Sequence, residues 1–258
     1  MSVNILAVGD IVGRCGLEIL SKRLRSIIRL ENIRFTVVNG ENAAGKGITT
    51  SQARDILSAG ADVITLGNHT WGKQEICEML DDSPYILRPA NFAPQSPGRG
   101  AGVYDTSFGG VTVINLIGRC NMDFGPDNPF FEADRLLKSS DSKIILIDFH
   151  AEATSEKIAL ANYLDGRVSA VWGTHSHVQT SDACVLRQGT GYITDLGMTG
   201  PVNSVIGVKT EISISMFLGN PPKRFEAADG DAKLECAVFE IDEKTGKCLG
   251  VKALRILD

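Results

Sequence analysis

The chain has 258 residues, 43% of them hydrophobic and 22% charged, ordinary values for a globular protein able to bury a large core without staples. A formal net charge of −5 argues against a general nucleic-acid footprint, yet leaves room for a small phosphorylated substrate, because bound cations can supply positive charge locally. Six cysteines without a Cys-x-x-Cys pair read as reduced thiols, most of them small core residues, rather than a disulfide frame or a zinc ribbon. No apolar run approaches the ~18 residues of a membrane helix. The segment Met1–Asp10 lacks the basic start of a signal peptide, so a cytoplasmic enzyme is the expectation.

Val3–Gly9 is a short apolar run ending in Gly9-Asp10 and reads as a buried strand. Leu17–Leu30 follows with Leu17, Leu20, Leu24, Ile27 and Ile28 at helical spacing. Phe35–Val38 is a second strand, Thr50–Ala59 a helix with Ser/Thr starters, Val63–Leu66 a third strand, and a helix lies near Lys73–Leu80. This alternation predicts a mostly parallel, buried sheet. Residues 81–110, with Pro84, Pro89, Pro94 and Pro97, form a long loop region with short strands. Val111–Ile117 is a strand, Gly118–Asn128 a loop, Phe131–Lys138 a helix and Ile144–Ile147 a strand. Thr154–Leu164 is an amphipathic helix with Ile158, Ala161 and Leu164 inward and a cap offered by Thr154–Lys157. After the strand 168–172, the last quarter holds strands at Cys184–Leu186, Tyr192–Thr194, Leu234–Ile241 and Val251–Ile256, and a helix at Thr210–Leu218. Alternation in Leu234–Ile241 suggests antiparallel pairing with one wet face. No linker or repeat interrupts the chain, so residues 1–258 are expected to form one domain with two packed sheets.

Five apolar runs end in potential metal ligands. Asp10 follows the first strand, Glu41 and Asn42 the second, and Asn68 and His69 the third; His150 follows Ile144–Ile147, and His175 and His177 follow the strand 168–172. All four histidines of the chain therefore stand just past strands. Ligand sites of open parallel sheets lie at the carboxyl ends of the strands, so these groups converge on one rim. Residues two apart on a strand point to the same side, which places the His175 and His177 imidazoles together. Carboxylate, amide oxygen and imidazole suit Fe, Mn or Zn better than Mg alone. Eight such groups exceed the ligand set of one catalytic zinc, so two ions sharing a carboxylate are expected, with one group left for acid–base work.

Each residue also has a plain reading: Asp10 as a helix cap, Glu41 as a solvated loop residue, Asn42 and Asn68 as turn residues, His69 and His150 as hydrogen-bonded, half-buried histidines. Their common placement favours the shared site. Two decoys fall away. Gly40-Glu41-Asn42-Ala43-Ala44-Gly45-Lys46 has phosphate-loop spacing, but Gly47 stands where the magnesium-binding hydroxyl belongs and Glu41 would oppose phosphate. Gly9, Gly13 and Gly16 miss the dinucleotide-binding spacing.

The ordered set Gly9-Asp10, Gly40-Glu41-Asn42, Gly67-Asn68-His69, His150 and Gly173-Thr174-His175-Ser176-His177 resembles the calcineurin-like metallophosphoesterase superfamily. It departs from the superfamily pattern at Val12, where a histidine is usual, at Glu41 in place of the bridging aspartate, and at Thr174. Those departures, together with Arg88-Pro89-Ala90-Asn91-Phe92, Asp148–Lys157 and Thr194–Pro201, resemble the YmdB-like bacterial phosphodiesterase branch over nearly the whole chain. The resemblance implies a four-layer α/β/β/α sandwich, two mixed sheets flanked by helices, with a binuclear metal centre, most simply iron, with manganese or zinc as alternatives. It further implies activity on 2′,3′-cyclic and 3′,5′-cyclic nucleotides and self-association as a dimer or tetramer.

Carried over residue by residue, Asp10, Glu41, Asn42 and His177 hold one metal, while Asn68, His150 and His175 hold the second, which Glu41 also reaches as a bridge. His69 stays off the metals as general acid for in-line attack by a metal-bridging hydroxide. Asn42 takes the place of the ligand missing at Val12. Thr199 and the amides of a Gly197–Gly200 turn line the phosphate pocket, and Asp148 and Glu152 orient imidazoles as acceptors. Two other readings stay open: a regulatory nucleotide-binding scaffold with slow turnover, and a phosphomonoesterase.

Overall fold

The computed structural model describes residues 1–258. In chain order its elements are β1 (Ser2–Val8), β2 (Asp10–Ile11), α1 (Gly13–Leu30), β3 (Ile33–Asn39), α2 (Thr50–Ala59), β4 (Val63–Thr65), α3 (Ile76–Asp82), β5 (Ile86–Leu87), β6 (Ala101–Thr106) and β7 (Gly109–Ile117). There follow α4 (Pro129–Lys138), β8 (Ile144–His150), α5 (Thr154–Leu164), β9 (Ala170–Thr174), β10 (Cys184–Val185), β11 (Gly191–Ile193), β12 (Met198–Pro201), α6 (Thr210–Phe217), β13 (Ala232–Asp242) and β14 (Cys248–Leu257).

Two mixed sheets result. In the first, β2, β12, β13, β1, β3, β4 and β5 lie in that order, and β14 pairs the other side of β13. The second runs β10, β11, β9, β8, β7, β6. Period-two alternation explains how they stack. Ile5, Ala7, Phe35, Val37 and Val63 of the first sheet meet Val113, Leu146, Ala170 and Trp172 of the second in one core. The alternate residues Leu6, Val8, Val38 and Ile64 pack under α1, α2 and α3, and Ile145, Ile147 and Phe149 pack under α4 and α5. These three cores separate four layers, α/β/β/α, as the resemblance implied.

Local chemistry sets most boundaries. Helix α2 opens with a reciprocal cap between Thr49 and Gln52. Helix α4 starts two residues before the sequence reading placed it, because Asn128 caps the chain and Pro129 fits the first helical position. Helix α1 begins at Gly13 rather than Leu17; Gly16 permits this, since a Cβ there would strike the Thr199 carbonyl on β12.

Several expectations are corrected. Strand β13 has no wet face: Leu234, Cys236 and Val238 face the helices while Ala237, Phe239 and Ile241 face the second sheet. It is an inner strand between β1 and β14, and β14 takes the exposed edge. On α5, Ile158 is exposed and Lys157, Leu160, Ala161 and Leu164 are buried. The cap position of α5 is Ala153, with no side-chain hydrogen bond. The Gly197–Gly200 turn is strand β12 instead, since Met198 and Thr199 pair with Asp10 and Ile11 of β2. Three of the six cysteines, Cys15, Cys236 and Cys248, are buried rather than most, and all six are free. No helix is long and apolar enough to cross a membrane.

Candidate metal centre

The face of β8 that carries Ile144 and Leu146 into the core between the sheets continues, two residues at a time, to Asp148 and His150. The same step takes β9 from Trp172 to Thr174, β3 from Val37 to Asn39, and β4 from Val63 to Thr65. A buried polar layer therefore caps the inter-sheet core at the carboxyl ends of the strands. Asp148 is its hub: Oδ2 accepts from Thr65 Oγ1 at 2.5 Å and from Asn39 Nδ2 at 3.1 Å, and Oδ1 accepts from Thr174 Oγ1 at 2.7 Å. Burial pushes the Asp148 carboxyl above its ordinary value, against these hydrogen bonds.

Above this layer the predicted residues meet. His150 Nε2 lies 3.0 Å from Asn68 Oδ1, 3.1 Å from His175 Nδ1 and 3.3 Å from Glu41 Oε1. Asn42 Nδ2 lies 2.9 Å from Glu41 Oε1 and 3.1 Å from His177 Nε2. Asp10 Oδ2 accepts the His175 amide at 3.1 Å, while Oδ1 stands 3.8 Å from His177 Nε2 with no hydrogen-bond partner. Glu41, Asn68 and His175 thus gather around His150, Asn42 links Glu41 to His177, and Asp10 stands between, its Oδ1 3.8 Å from His177 Nε2 and 3.9 Å from His150 Nδ1. Gly67 leaves room for it; a Cβ there would overlap the Glu41 carboxylate and the His150 ring.

Three imidazoles share one arrangement. Each turns one nitrogen inward and the other toward an oxygen outside the cluster, which is a hydrogen bond for His150 and His177 and a charge contact for His175. The Thr174 hydroxyl gives its single proton to Asp148, so its oxygen accepts from His150 Nδ1 at 2.9 Å. His175 Nε2 faces the Glu152 carboxylate at 3.2 Å. His177 Nδ1 donates to the Ile206 carbonyl at 2.7 Å. Outer acceptors of this kind fix the tautomer of a metal-ligating histidine and aim its free lone pair. His69 differs: its Nδ1 lies 2.7 Å from Asn42 Oδ1 inside the cluster, and its side chain is 28% exposed where His150 is wholly buried.

The result is a crowd of inward lone pairs with too few protons. Burial alone would lower the pKa of His150, but Glu41, with Asp10 and Asp148, raises it to about 9. Burial would raise Glu41, yet His150 and His69 hold it well below the ordinary carboxylate range. A proton on His150 thereby does part of the work of a cation. Burial, then the charge of His150, lowers His175 to about 3, and Asp10 is raised to about 6, chiefly by burial. Such an inward set of carboxylate, amide and imidazole donors, with one carboxylate oxygen orphaned, fits metal cations.

The backbone is strained here as well. Strand β9 ends at Thr174, and φ is +96° at His175, +63° at His177 and +46° at Ile206. The two imidazoles therefore do not share a side by strand alternation; the left-handed turns send His175 toward His150 and His177 toward Asn42. Asp148 touches no histidine directly and acts through Thr174. Thr199 is fully buried, with its Oγ1 unpaired. The sequence assigns no role to Ile206 or Asn39 and marks Thr174 only as a departure from the superfamily pattern. Period-two counting along β3 and β9 points to Asn39 and Thr174; no sequence signal marks the Ile206 carbonyl.

The chain is similar to known proteins over nearly its whole length. The family model described as YmdB-like protein matches residues 6–254. A Bacillus subtilis protein named 2′,3′-cyclic-nucleotide 2′-phosphodiesterase is 44% identical over 99% of this chain and 98% of its own length. The crystal structure of a novel phosphatase from Mycoplasma pneumoniae superposes with a TM-score of 0.94 at 33% identity, covering 100% of this chain and 94% of that one. A hypothetical protein from Thermus thermophilus superposes with a TM-score of 0.93 at 36% identity, covering 99% of this chain and 100% of that one.

Proposed function

The chain belongs to the YmdB-like protein family, and from that premise we propose that it is a metal-dependent phosphodiesterase acting on 2′,3′-cyclic nucleotides, with 3′,5′-cyclic nucleotides as secondary substrates. The observation that carries the reading is the shared arrangement of His150, His175 and His177. His150 and His177 are hydrogen-bonded outside by Thr174 and Ile206, His175 faces the Glu152 carboxylate at 3.2 Å, and each presents its other nitrogen to the cluster. The name of the Bacillus subtilis relative supports the substrate class.

Asp10, Asn42 and His177 would hold one ion, Asn68, His150 and His175 the other, and Glu41 both. Iron, manganese and zinc all suit this donor set, with iron the first expectation. When bound, the ions supply Lewis acidity at the phosphoryl oxygens and lower the pKa of a coordinated water. The protein's own part is orientation and proton delivery. Asn42 ties His69 Nδ1, which leaves Nε2 to protonate the departing ribose oxygen, a role worth roughly 10²–10⁴-fold. The partial exposure of His69 suits a group that meets substrate. Asp148 acts at one remove, holding the hydroxyl that holds His150.

Metal analysis of the purified protein beside a panel of phosphoric esters tests the proposal. About two ions per chain and preference for a 2′,3′-cyclic nucleotide over the matching monophosphate support it. Preference for the monophosphate makes the protein a phosphomonoesterase, and binding without turnover at substrate excess makes it a regulatory module.

A further inference from the structure

The face of α5 that enters the core carries a lysine. Lys157 is 1% exposed, and its Nζ lies 2.7 Å from Oδ2 of the equally buried Asp195, in the loop after β11. The lysine stem passes so close to Gly173 that a Cβ there would overlap it. A buried ion pair is a poor way to add stability. This one carries a second set of contacts: Asp195 Oδ2 also accepts the Ser176 amide at 3.1 Å, and Oδ1 accepts the Gly197 amide at 2.8 Å. Ser176 sits between His175 and His177. The preceding amide, of His175, ends on Asp10 Oδ2. Two consecutive amides of the His-x-His turn are thus gripped by two buried carboxylates from different parts of the chain, and the residues on either side of Ser176 both have positive φ.

We propose that Lys157 and Asp195 are positioning residues for the metal centre, with Lys157 anchoring Asp195 and Asp195 fixing the Ser176 amide so that His175 and His177 face their separate ligand groups. The proposal rests on the reading that these histidines hold metal. An apolar pair could fill the same volume but could not accept the Ser176 and Gly197 amides. Asp195→Asn keeps the shape and sets an amide NH2 against one of those donors, and Lys157→Met keeps the stem and removes the charge.

The test uses metal-free full-length protein with 15N-labelled histidine, in which the four ring systems of the chain all report on the site, together with titration by Mn2+ alone. In both variants the His175 and His177 ring signals should move while the His69 signal stays, and Mn2+ affinity should fall about 10–100-fold. Unchanged ring signals with Mn2+ affinity within about threefold of the parent, below the range for such outer contacts, would overturn the proposal, whatever the melting temperature does. So would equal displacement of all four histidines, which marks general loosening. Failure of the parent protein to take up Mn2+, Fe2+ or Zn2+ would refute the metal reading itself, and the ring signals would still decide the positioning role.

Discussion

Replacing Thr174 by valine removes one hydroxyl from the middle of a buried chain of hydrogen bonds. Its oxygen lies 2.7 Å from Asp148 Oδ1 and 2.9 Å from His150 Nδ1, and Thr174, Asp148 and His150 are all fully buried. Asp148 Oδ2 keeps Thr65 and Asn39, but Oδ1 loses its donor. His150 Nδ1–H loses its acceptor, and valine offers no replacement. A buried polar group left unpaired costs about 1–3 kcal/mol, and two neighbours stranded together cost about 2–4 kcal/mol, since such losses are not fully additive. Urea unfolding of the metal-free protein reads this directly. Because the His150 ring also loses its orientation, Mn2+ affinity should drop about 10–100-fold, and Thr174→Ser should recover most of both effects. A valine variant within about 0.5 kcal/mol of the parent, the usual span of neutral substitutions, and with unaltered Mn2+ affinity would refute the relay from Asp148 to His150.

Other consequences follow from the same geometry. His69→Ala should retain its metal content and lose roughly 10²–10⁴-fold in turnover; parent-level hydrolysis of a 2′,3′-cyclic nucleotide by that variant would remove His69 from the reaction. Gly67→Ala drives a methyl group into Glu41 and His150, so its metal stoichiometry should fall while its far-UV spectrum persists, and full loading would contradict the packing described. In the metal-free protein His150 titrates at about 9 against an ordinary 6.5. A raised pKa stabilises the fold fully below pH 6.5 and ceases to do so as pH rises through about 9, a loss on the order of 3 kcal/mol. Saturating Mn2+ should flatten that slope because the ion replaces the proton; equal stability at pH 6.5 and 9 without metal would count against the Glu41–His150 pair.

Much of the site was legible because strand ends are legible. Asp10, Glu41, Asn68, His69 and His150 each follow an apolar run, and a parallel sheet gathers such positions by topology alone. Side-chain directions off the strands were harder. Strand alternation placed His175 and His177 on one side, but the ladder stops at Thr174 and positive φ takes over, which no residue type in Gly-Thr-His-Ser-His announces. Helical spacing turned Ile158 inward because it is apolar; the helix instead buries Lys157, whose partner Asp195 is far away in sequence. Strand β13 alternates like a half-exposed strand, yet Lys233 and Glu235 pair with each other at 2.7 Å inside the protein. On α5 and β13, charged residues satisfied by a buried partner passed for surface residues.

The position of β13 also governs timing. Strand β1, which leads into Asp10, has β3 on one side, but its other side is filled by residues 236–242 of β13, near the end of the chain. Residue 177 must also be made before the last imidazole exists. During synthesis, then, the first sheet stays open along β1 until β13 has emerged, a long-range contact pattern that slows folding. A polypeptide truncated before β13 should therefore lack the pairing that holds the strand leading into Asp10, and should bind Mn2+ less tightly than the whole chain.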